Sequence, residues 1–156
     1  MNEILTTSLF LGNPSAWKDV KIHLTSLQGL WGGWHILVCG SGEVIIQHVS
    51  PSMHEERFRL ELSEAEFRLL LEACIQNDLL SIQPLRSMGH PDEIMLQITL
   101  INAQGESRTA SKWAGDSLAA FDTVYRQIFI LTYQTNNMRP FLTGPFDWSA
   151  SLENSS

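Results

Sequence analysis

The chain has 156 residues, of which 44% are hydrophobic and 17% are charged, and its formal net charge at pH 7 is −7. These values are typical of one globular domain with its own core, and they exclude disordered, collagen-like and membrane-spanning chains. We expect a cytoplasmic protein, because the N-terminus lacks a secretory pattern and two cysteines are too few for a disulfide framework. The negative charge argues against nucleic acid as a partner, and we expect no membrane partner either.

The chain is predicted to be a single domain, 1–156, in three parts. Residues 1–17 are weakly patterned and form a leader that docks its apolar side chains, Leu9, Phe10, Leu11 and Trp17, on the body. Residues 18–133 carry the alternating and helical patterns of an α+β core. Residues 134–156 are rich in Pro, Ser and Asn but contain aromatic residues, so we expect this tail to lie against the domain or against a neighbour.

The first strands follow from alternation of apolar and polar residues. Val20, Ile22 and Leu24 alternate with polar residues. Residues 34–39 and 44–49 are predicted to form a hairpin through the sequence Gly-Ser-Gly-Glu at 40–43. With a loop of two or four residues, positions whose numbers sum to 83 face each other. Both faces of this hairpin are largely apolar, which predicts a central position in the sheet.

A strand at 57–62 leads into the clearest local signal of the chain. Ser63 and Glu66 have the spacing of a capping box, in which each side chain bonds the backbone amide of the other residue. Phe67, Leu70, Leu71, Cys74 and Ile75 then follow the stripe of one buried helical face. The helix is expected to end at Asn77-Asp78.

A second hairpin and a last helix complete the core. Residues 94–101 and 106–113 are the predicted arms, joined by a type I turn that Gly105 closes in the left-handed conformation. The last helix is predicted to start at Gly115 or Asp116. Its core stripe contains Leu118, Phe121, Val124 or Tyr125, Ile128 and Leu131.

The resulting fold class is α+β. We predict an antiparallel sheet of about five to six strands with two amphipathic helices on one face, in the order β-β-β-β-α-β-β-α. Residues 33–133, with a Gly-turn hairpin before the capped helix Leu62-Ser63-Glu64-Ala65-Glu66 and a hairpin and helix after it, resemble small bacterial α+β domains of unknown function. The resemblance implies this order of elements and no activity.

The histidines supply the one candidate metal site. His35 and His48 sum to 83, so the predicted register places them opposite each other with Cβ atoms ~5 Å apart, a spacing that suits two ligands of one metal ion. His23 could join them from the first strand. The alternative is a stacked or hydrogen-bonded pair, which would make the contact sensitive to pH. No other cofactor is indicated.

Motifs for catalysis are absent from the sequence. There is no GxSxG, GxGxxG, P-loop, HExxH or CxxC pattern, and the carboxylate pairs lie in predicted loops or in the helix cap. We therefore assign no catalytic residue and favour a protein without enzymatic activity. The alternative is a small metal-binding protein or metal-dependent enzyme that uses His35 and His48. A small-molecule pocket between sheet and helices, with Trp34, Trp113 and Tyr125 as its walls, is a further hypothesis.

A surplus of apolar and aromatic residues points to a protein interface. Five tryptophans occur in the chain, and Trp is enriched at the centres of contacts. The predicted partner is a second copy or another protein, and one variant is an acidic inhibitor of a basic protein. The candidate interface residues lie in the glycine-rich connection, the last helix and the tail: Trp31, Trp34, Phe129, Ile130, Phe146 and Trp148.

Overall fold

The computed structural model describes residues 6–28, 31–82 and 93–147. The α-helices in these ranges are α1 (Thr6–Leu11), α2 (Glu64–Gln76) and α3 (Ala119–Phe129), and 3₁₀ helices span Pro14–Asp19, Leu79–Ser81 and Ile130–Asn137. The strands are β1 (Lys21–Gln28), β2 (Gly32–Cys39), β3 (Glu43–Val49), β4 (His54–Glu61), β5 (Met95–Ile101), β6 (Ser107–Trp113) and β7 (Leu142–Pro145).

The seven strands form one antiparallel sheet in the order β6-β5-β1-β2-β3-β4-β7. The α+β class is confirmed, whereas the order of elements differs slightly from the predicted one. Two elements were not predicted, the short helix α1 and the edge strand β7. The latter comes from the tail and pairs with β4. Within the described ranges the sheet therefore has seven strands instead of five or six.

Apolar side chains on one face of the sheet form the core together with the helices, and we call this the helix face. In the strands they alternate with residues of the opposite face, which we call the far face. The fully buried strand residues of the helix face are Ile22, Leu24, Ile36, Val38, Val44, Ile46, Ile98 and Leu100. The helices add Phe10, Leu11, Phe67, Leu71, Phe121, Val124 and Ile128 to the same cluster.

The predicted capping box of α2 is present. The Glu66 amide donates to Ser63 Oγ over 3.1 Å, and the Ser63 amide donates to Glu66 Oε1 over 3.0 Å. Helix α2 ends at Gln76, and Asp78 has a left-handed backbone with φ 41°. Its carboxylate accepts from the Thr7 amide and hydroxyl, both at 3.0 Å, which fastens the N-terminal helix to the end of α2.

Helix α3 begins at Ala119, later than the predicted Gly115 or Asp116. The chain first turns out of β6, with the Asp116 amide donating to the Trp113 carbonyl at 3.0 Å. Asp122 then accepts from the Leu118 amide at 3.2 Å and pairs with the buried Lys112 ammonium of β6 at 2.5 Å. These contacts fix the start of α3 against the edge of the sheet.

The register of the β2–β3 hairpin differs from the predicted one. Val38 pairs with Val44 and Ile36 with Ile46, so the numbers of facing residues sum to 82 and not to 83. The reason is a loop of three residues, 40–42, that ends with Gly42 at φ 97°. A type I turn followed by a left-handed glycine is the usual three-residue hairpin loop. Because side chains alternate along a strand, this shift by one exchanges the predicted faces of β3.

The second hairpin has the predicted turn. The Gly105 amide donates to the Asn102 carbonyl at 2.9 Å, and Gly105 has a left-handed φ of 82°. Ile98 and Leu100 are fully buried on the helix face, as the alternation with Gln97 and Thr99 predicts.

Most of the apolar side chains named in the leader are buried, with one exception. Phe10, Leu11 and Trp17 are buried in the core, whereas Leu9 is 72% exposed. The reason is the helical geometry of α1, which points Leu9 away from the face that carries Phe10.

Replacing Ser63 by Ala should lower the free energy of unfolding by about 1 kcal/mol, because the Glu66 amide loses its acceptor. Chemical denaturation measures the change. Ser107→Ala, at an exposed position in β6, is the control and should stay within about 0.5 kcal/mol of the parent. Equal losses in the two variants would contradict a specific role of the cap.

Candidate functional site

His35 and His48 do not form the predicted pair. In the observed register Trp34 pairs with His48, and His35 pairs with Gln47. His48 therefore lies on the helix face, where its ring contacts the Trp34 ring at 4.3 Å between centroids. His35 lies on the far face. The sheet separates the two imidazoles, so the proposed metal site built from both does not exist in this arrangement.

His35 instead stacks on His23, its diagonal neighbour from β1. The ring centroids are 4.1 Å apart and the planes are inclined by 17°. Both side chains are partly buried, and the Nε2 atom of His23 is buried without a hydrogen-bond partner among the described residues. The alternative of a stacked or hydrogen-bonded His35–His48 pair is therefore also wrong, because the stacking partner of His35 is His23.

A buried polar network extends from His35 across the far face. Gln47 bonds the His35 side chain and donates from Nε2 to Glu55 Oε2. Glu55 Oε1 accepts from Arg57 Nε at 3.0 Å. Gln47, Glu55 and Arg57 are 1%, 4% and 5% exposed. The alternation of residues in the strand predicted at 57–62 favours a solvent-facing Arg57, but its pairing with Glu55 allows the guanidinium to be buried.

Burial keeps both histidines neutral near pH 7. It lowers the pKa of His23 from 6.5 to about 4, and the positive charge of Lys21 adds to the effect. It also lowers the pKa of His35 to about 4, helped by His23 and Arg57 and opposed by the hydrogen bond to the Gln47 side chain. Protonation of either ring would place a cation against its stacked neighbour.

The far face does not assemble a metal site from the described residues. No group of three or more His, Cys, Asp or Glu side chains in 6–28, 31–82 and 93–147 is arranged to hold a metal ion. The Cys74 thiol is fully buried in the core, and burial raises its pKa to about 12, which makes it unreactive at neutral pH.

Trp34 and Phe129, two of the predicted interface residues, pack against each other between the sheet and α3. Their rings meet edge to face at 6.1 Å, and Phe129 stacks on Tyr125 at 5.5 Å. The Tyr125 hydroxyl bonds the buried Ser26, while burial raises the pKa of Tyr125. Trp113 lies on the far face of β6, because it pairs with Met95. The predicted pocket between Trp34, Trp113 and Tyr125 is therefore not formed.

Helices α2 and α3 form the two sides of an open apolar groove on the outer surface of the helix layer. Its volume is about 550 Å³. Its walls come from α2, α3 and the segments next to them: Leu62, Glu66, Leu69, Leu70, Thr123, Arg126, Gln127, Ile130, Leu131 and Gln134. Leu69 is 62% exposed on one wall and Ile130 is 58% exposed on the other.

Ile130 was predicted as an interface residue, whereas Leu69 was missed. A signal for Leu69 exists in the sequence, because Leu69, Leu70 and Leu71 are consecutive and one helical face cannot bury all three. Trp31 is 57% exposed at the β1–β2 connection, and Phe146 is partly buried after β7. Trp148 lies outside the described residues.

Comparison with known protein families finds no family model that matches the chain, and comparison with curated proteins finds no matching relative. Within the described ranges, no helix is long and apolar enough to cross a membrane. The geometry of the groove and of the far face is therefore the basis for proposing a function.

The free energy of unfolding should fall as the pH is lowered from about 6.5 towards 4. In this window the unfolded chain binds protons at His23 and His35 while the folded chain does not. The contribution of the two residues to stability is therefore fully present above the unfolded pKa of 6.5 and is lost as the pH falls through the folded pKa of about 4. His35→Phe keeps an aromatic ring without a proton site. It should remove on the order of 2–3 kcal/mol of this pH-dependent loss, measured by urea denaturation at several pH values.

The control for this experiment is His54→Phe, which changes an exposed histidine of β4. It should keep the pH profile of the parent protein. If His35→Phe and the parent lose the same stability between pH 6.5 and 4, the stacked pair does not govern the acid sensitivity.

Proposed function

We propose that this domain is a non-enzymatic protein-binding module and that the groove between α2 and α3 is its contact surface. The observation that carries the proposal is the exposure of Leu69 and Ile130, one on each wall of an apolar groove. Contiguous apolar surface on a small domain is typical of an interaction site.

Folding explains the other large apolar residues of α2 but not Leu69. Phe67, Leu70 and Leu71 are buried against the sheet, whereas Leu69 is mostly in contact with water. Fully burying an exposed Leu or Ile side chain is worth about 1.5–3 kcal/mol. Leu69 and Ile130 are 62% and 58% exposed, so a partner that covered them would gain roughly that fraction of this free energy at each.

The groove also has the composition of a binding surface. Its floor and walls contain leucine and isoleucine, and its rim carries polar or charged residues: Glu66, Thr123, Arg126, Gln127 and Gln134. An apolar centre with a polar rim is the usual organisation of a protein interface. Such a groove accepts the apolar face of a helix.

Leu9 offers a contrast within the same chain. It is 72% exposed on α1, and it lines a different surface depression, whose other lining residues are mostly polar: Thr6, Phe10, Gly12, Asn102, Gln104, Glu106 and Arg108. An exposed leucine among polar residues is ordinary at a protein surface and requires no partner. Leu9 is therefore the matched control for Leu69 and Ile130.

A photo-crosslinking amino acid placed at position 69 or 130 should give a discrete covalent adduct in cells that express the full chain. The adduct is detected by its mass and its partner peptide is identified by mass spectrometry. The same amino acid at position 9 should give no such adduct, because Leu9 lies outside the groove. Absence of an adduct at both groove positions, or the same adducts at all three, would overturn the proposal.

A further inference from the structure

Strands β6 and β7 are the two edges of the sheet among the described strands, and they differ in what they offer to a further strand. An edge strand exposes backbone amides and carbonyls, and proteins usually protect it by shortening it or by placing a proline in it. Strand β7 has four residues and ends with Pro145. Strand β6 has seven residues, contains neither proline nor glycine, and pairs with β5 residue by residue without a bulge. The β6 edge therefore lacks these protections.

The hydrogen bonds at the two ends of β6 show which of its residues face outward. The Asn102 amide donates to the Glu106 carbonyl at 2.9 Å, and the Ala114 amide donates to the Ile94 carbonyl at 2.9 Å. Bonded residues alternate along an antiparallel pair, so the even-numbered residues of this arm bond β5. The odd-numbered residues point their backbone groups away from the sheet: Ser107, Thr109, Ser111 and Trp113.

Three of these four residues have open backbone groups. The Trp113 carbonyl accepts from the Asp116 amide at 3.0 Å, because the chain turns there towards α3. No described residue bonds the outward backbone groups of Ser107, Thr109 and Ser111. The first two of these residues are also exposed. The open part of the edge is therefore centred on Thr109.

Strand β7 is blocked at the corresponding place. The Phe146 amide donates to the Met53 carbonyl at 2.9 Å, so the even-numbered residues of this arm bond β4. Thr143 and Pro145 then face outward. Proline has no amide proton to donate, so β7 cannot continue the sheet as β6 can.

We propose that β6 pairs antiparallel with β6 of a second copy of this chain, so that the two sheets become continuous across a two-fold axis at Thr109. In this register Thr109 faces its own counterpart and Ser107 faces Ser111. Each facing pair exchanges two backbone hydrogen bonds, and the open residues are thereby joined to one another. The contact lies at the sheet edge and not in the groove, so it goes beyond the proposed function.

The side chains that face each other in this register are compatible. On the helix face, Glu106 lies opposite Lys112 of the second copy, and Arg108 lies opposite the small Ala110. On the far face, the facing residues carry hydroxyl groups: Ser107, Thr109 and Ser111. Cross-strand pairs of opposite charge and pairs of hydroxyl residues both stabilise a sheet.

Registers shifted along β6 bring like charges together. Because only odd-numbered residues face outward, the register can shift only in steps of two. A shift in one direction places Arg108 opposite Lys112 and requires the Trp113 carbonyl, which the Asp116 amide already occupies. A shift in the other direction places Arg108 opposite its own counterpart. Like charges directly opposite each other destabilise a strand pair, so charge and open backbone groups select the same register.

Cysteine substitution tests the register. Thr109→Cys places two thiols across the axis with Cα atoms about 5.5 Å apart, which is within the range of a disulfide. Mild oxidation of the full chain should therefore give a covalent dimer of twice the 17.6 kDa mass. Every variant in this experiment also carries Cys39→Ser, because Cys39 is the partly exposed native thiol and Cys74 is buried.

Ser107→Cys and Ser111→Cys are the matched controls for the crosslink. Position 107 faces position 111 of the second copy, so identical cysteines lie about 14 Å apart, beyond the reach of a disulfide. Each variant alone should stay monomeric under oxidation, and an equimolar mixture should form the covalent dimer. No crosslink in Thr109→Cys, or an equal yield from Ser107→Cys alone, overturns the proposal.

Proline substitution tests the backbone hydrogen bonds. Thr109→Pro removes an outward amide and leaves the bonds between β6 and β5 in place, since proline is tolerated where the amide of an edge strand faces solvent. In sedimentation velocity the mass of the parent should rise with concentration from 17.6 kDa towards twice that value. Thr109→Pro should weaken this association at least about tenfold.

Thr143→Pro makes the same change at an outward-facing, exposed residue of β7 and should leave the association unchanged. Circular dichroism shows whether both proline variants keep the fold, and the cysteine variants test the contact independently of them. A parent that stays monomeric at every concentration up to about 0.5 mM, or equal weakening by the two prolines, contradicts the proposed strand pairing.

Discussion

The register of the β2–β3 hairpin decides which side chains reach each face of the sheet. The three-residue loop 40–42 has little freedom, because a Cβ atom on Gly40 would overlap the Trp17 carbonyl and one on Gly42 would overlap the Leu62 carbonyl. The 3₁₀ helix at Pro14–Asp19 and the β4–α2 junction therefore both pack closely against this turn. A slip by one residue would move Ile46 from the core to the far face and would break the packing of all three helices.

The two hairpins show when a sequence determines register. In the second hairpin, apolar Ile98 and Leu100 alternate with polar Gln97 and Thr99, so only one register buries the apolar set. In the first hairpin both faces are apolar, and Leu37 and Ile45 of the far face are buried as well. The hydrophobic pattern then cannot distinguish loops of two, three or four residues, and the packing of Gly40 and Gly42 against distant backbone makes the choice.

The same limit explains what could be predicted of the candidate sites. The cap of α2 depends on Ser63 and Glu66 alone, so local sequence was sufficient for it. The His23–His35 stack depends on the pairing of β1 with β2, which single-sequence patterns predict only to within a residue. Strand β7 lies in a polar tail and exists through its pairing with β4, and such a four-residue segment has no periodicity of its own.

The far face and the groove differ in what folding requires of them. On the far face, Gln47, Glu55 and Arg57 satisfy one another, so burial and hydrogen bonding account for their presence. In the groove, Leu69 and Ile130 contribute little to the core and are mostly in contact with water. Polar residues at these two positions would preserve the fold and improve solubility. Contact with a second protein surface would bury these two exposed aliphatic residues on facing walls and lower the free energy of the complex. For this reason the proposed function is assigned to the groove.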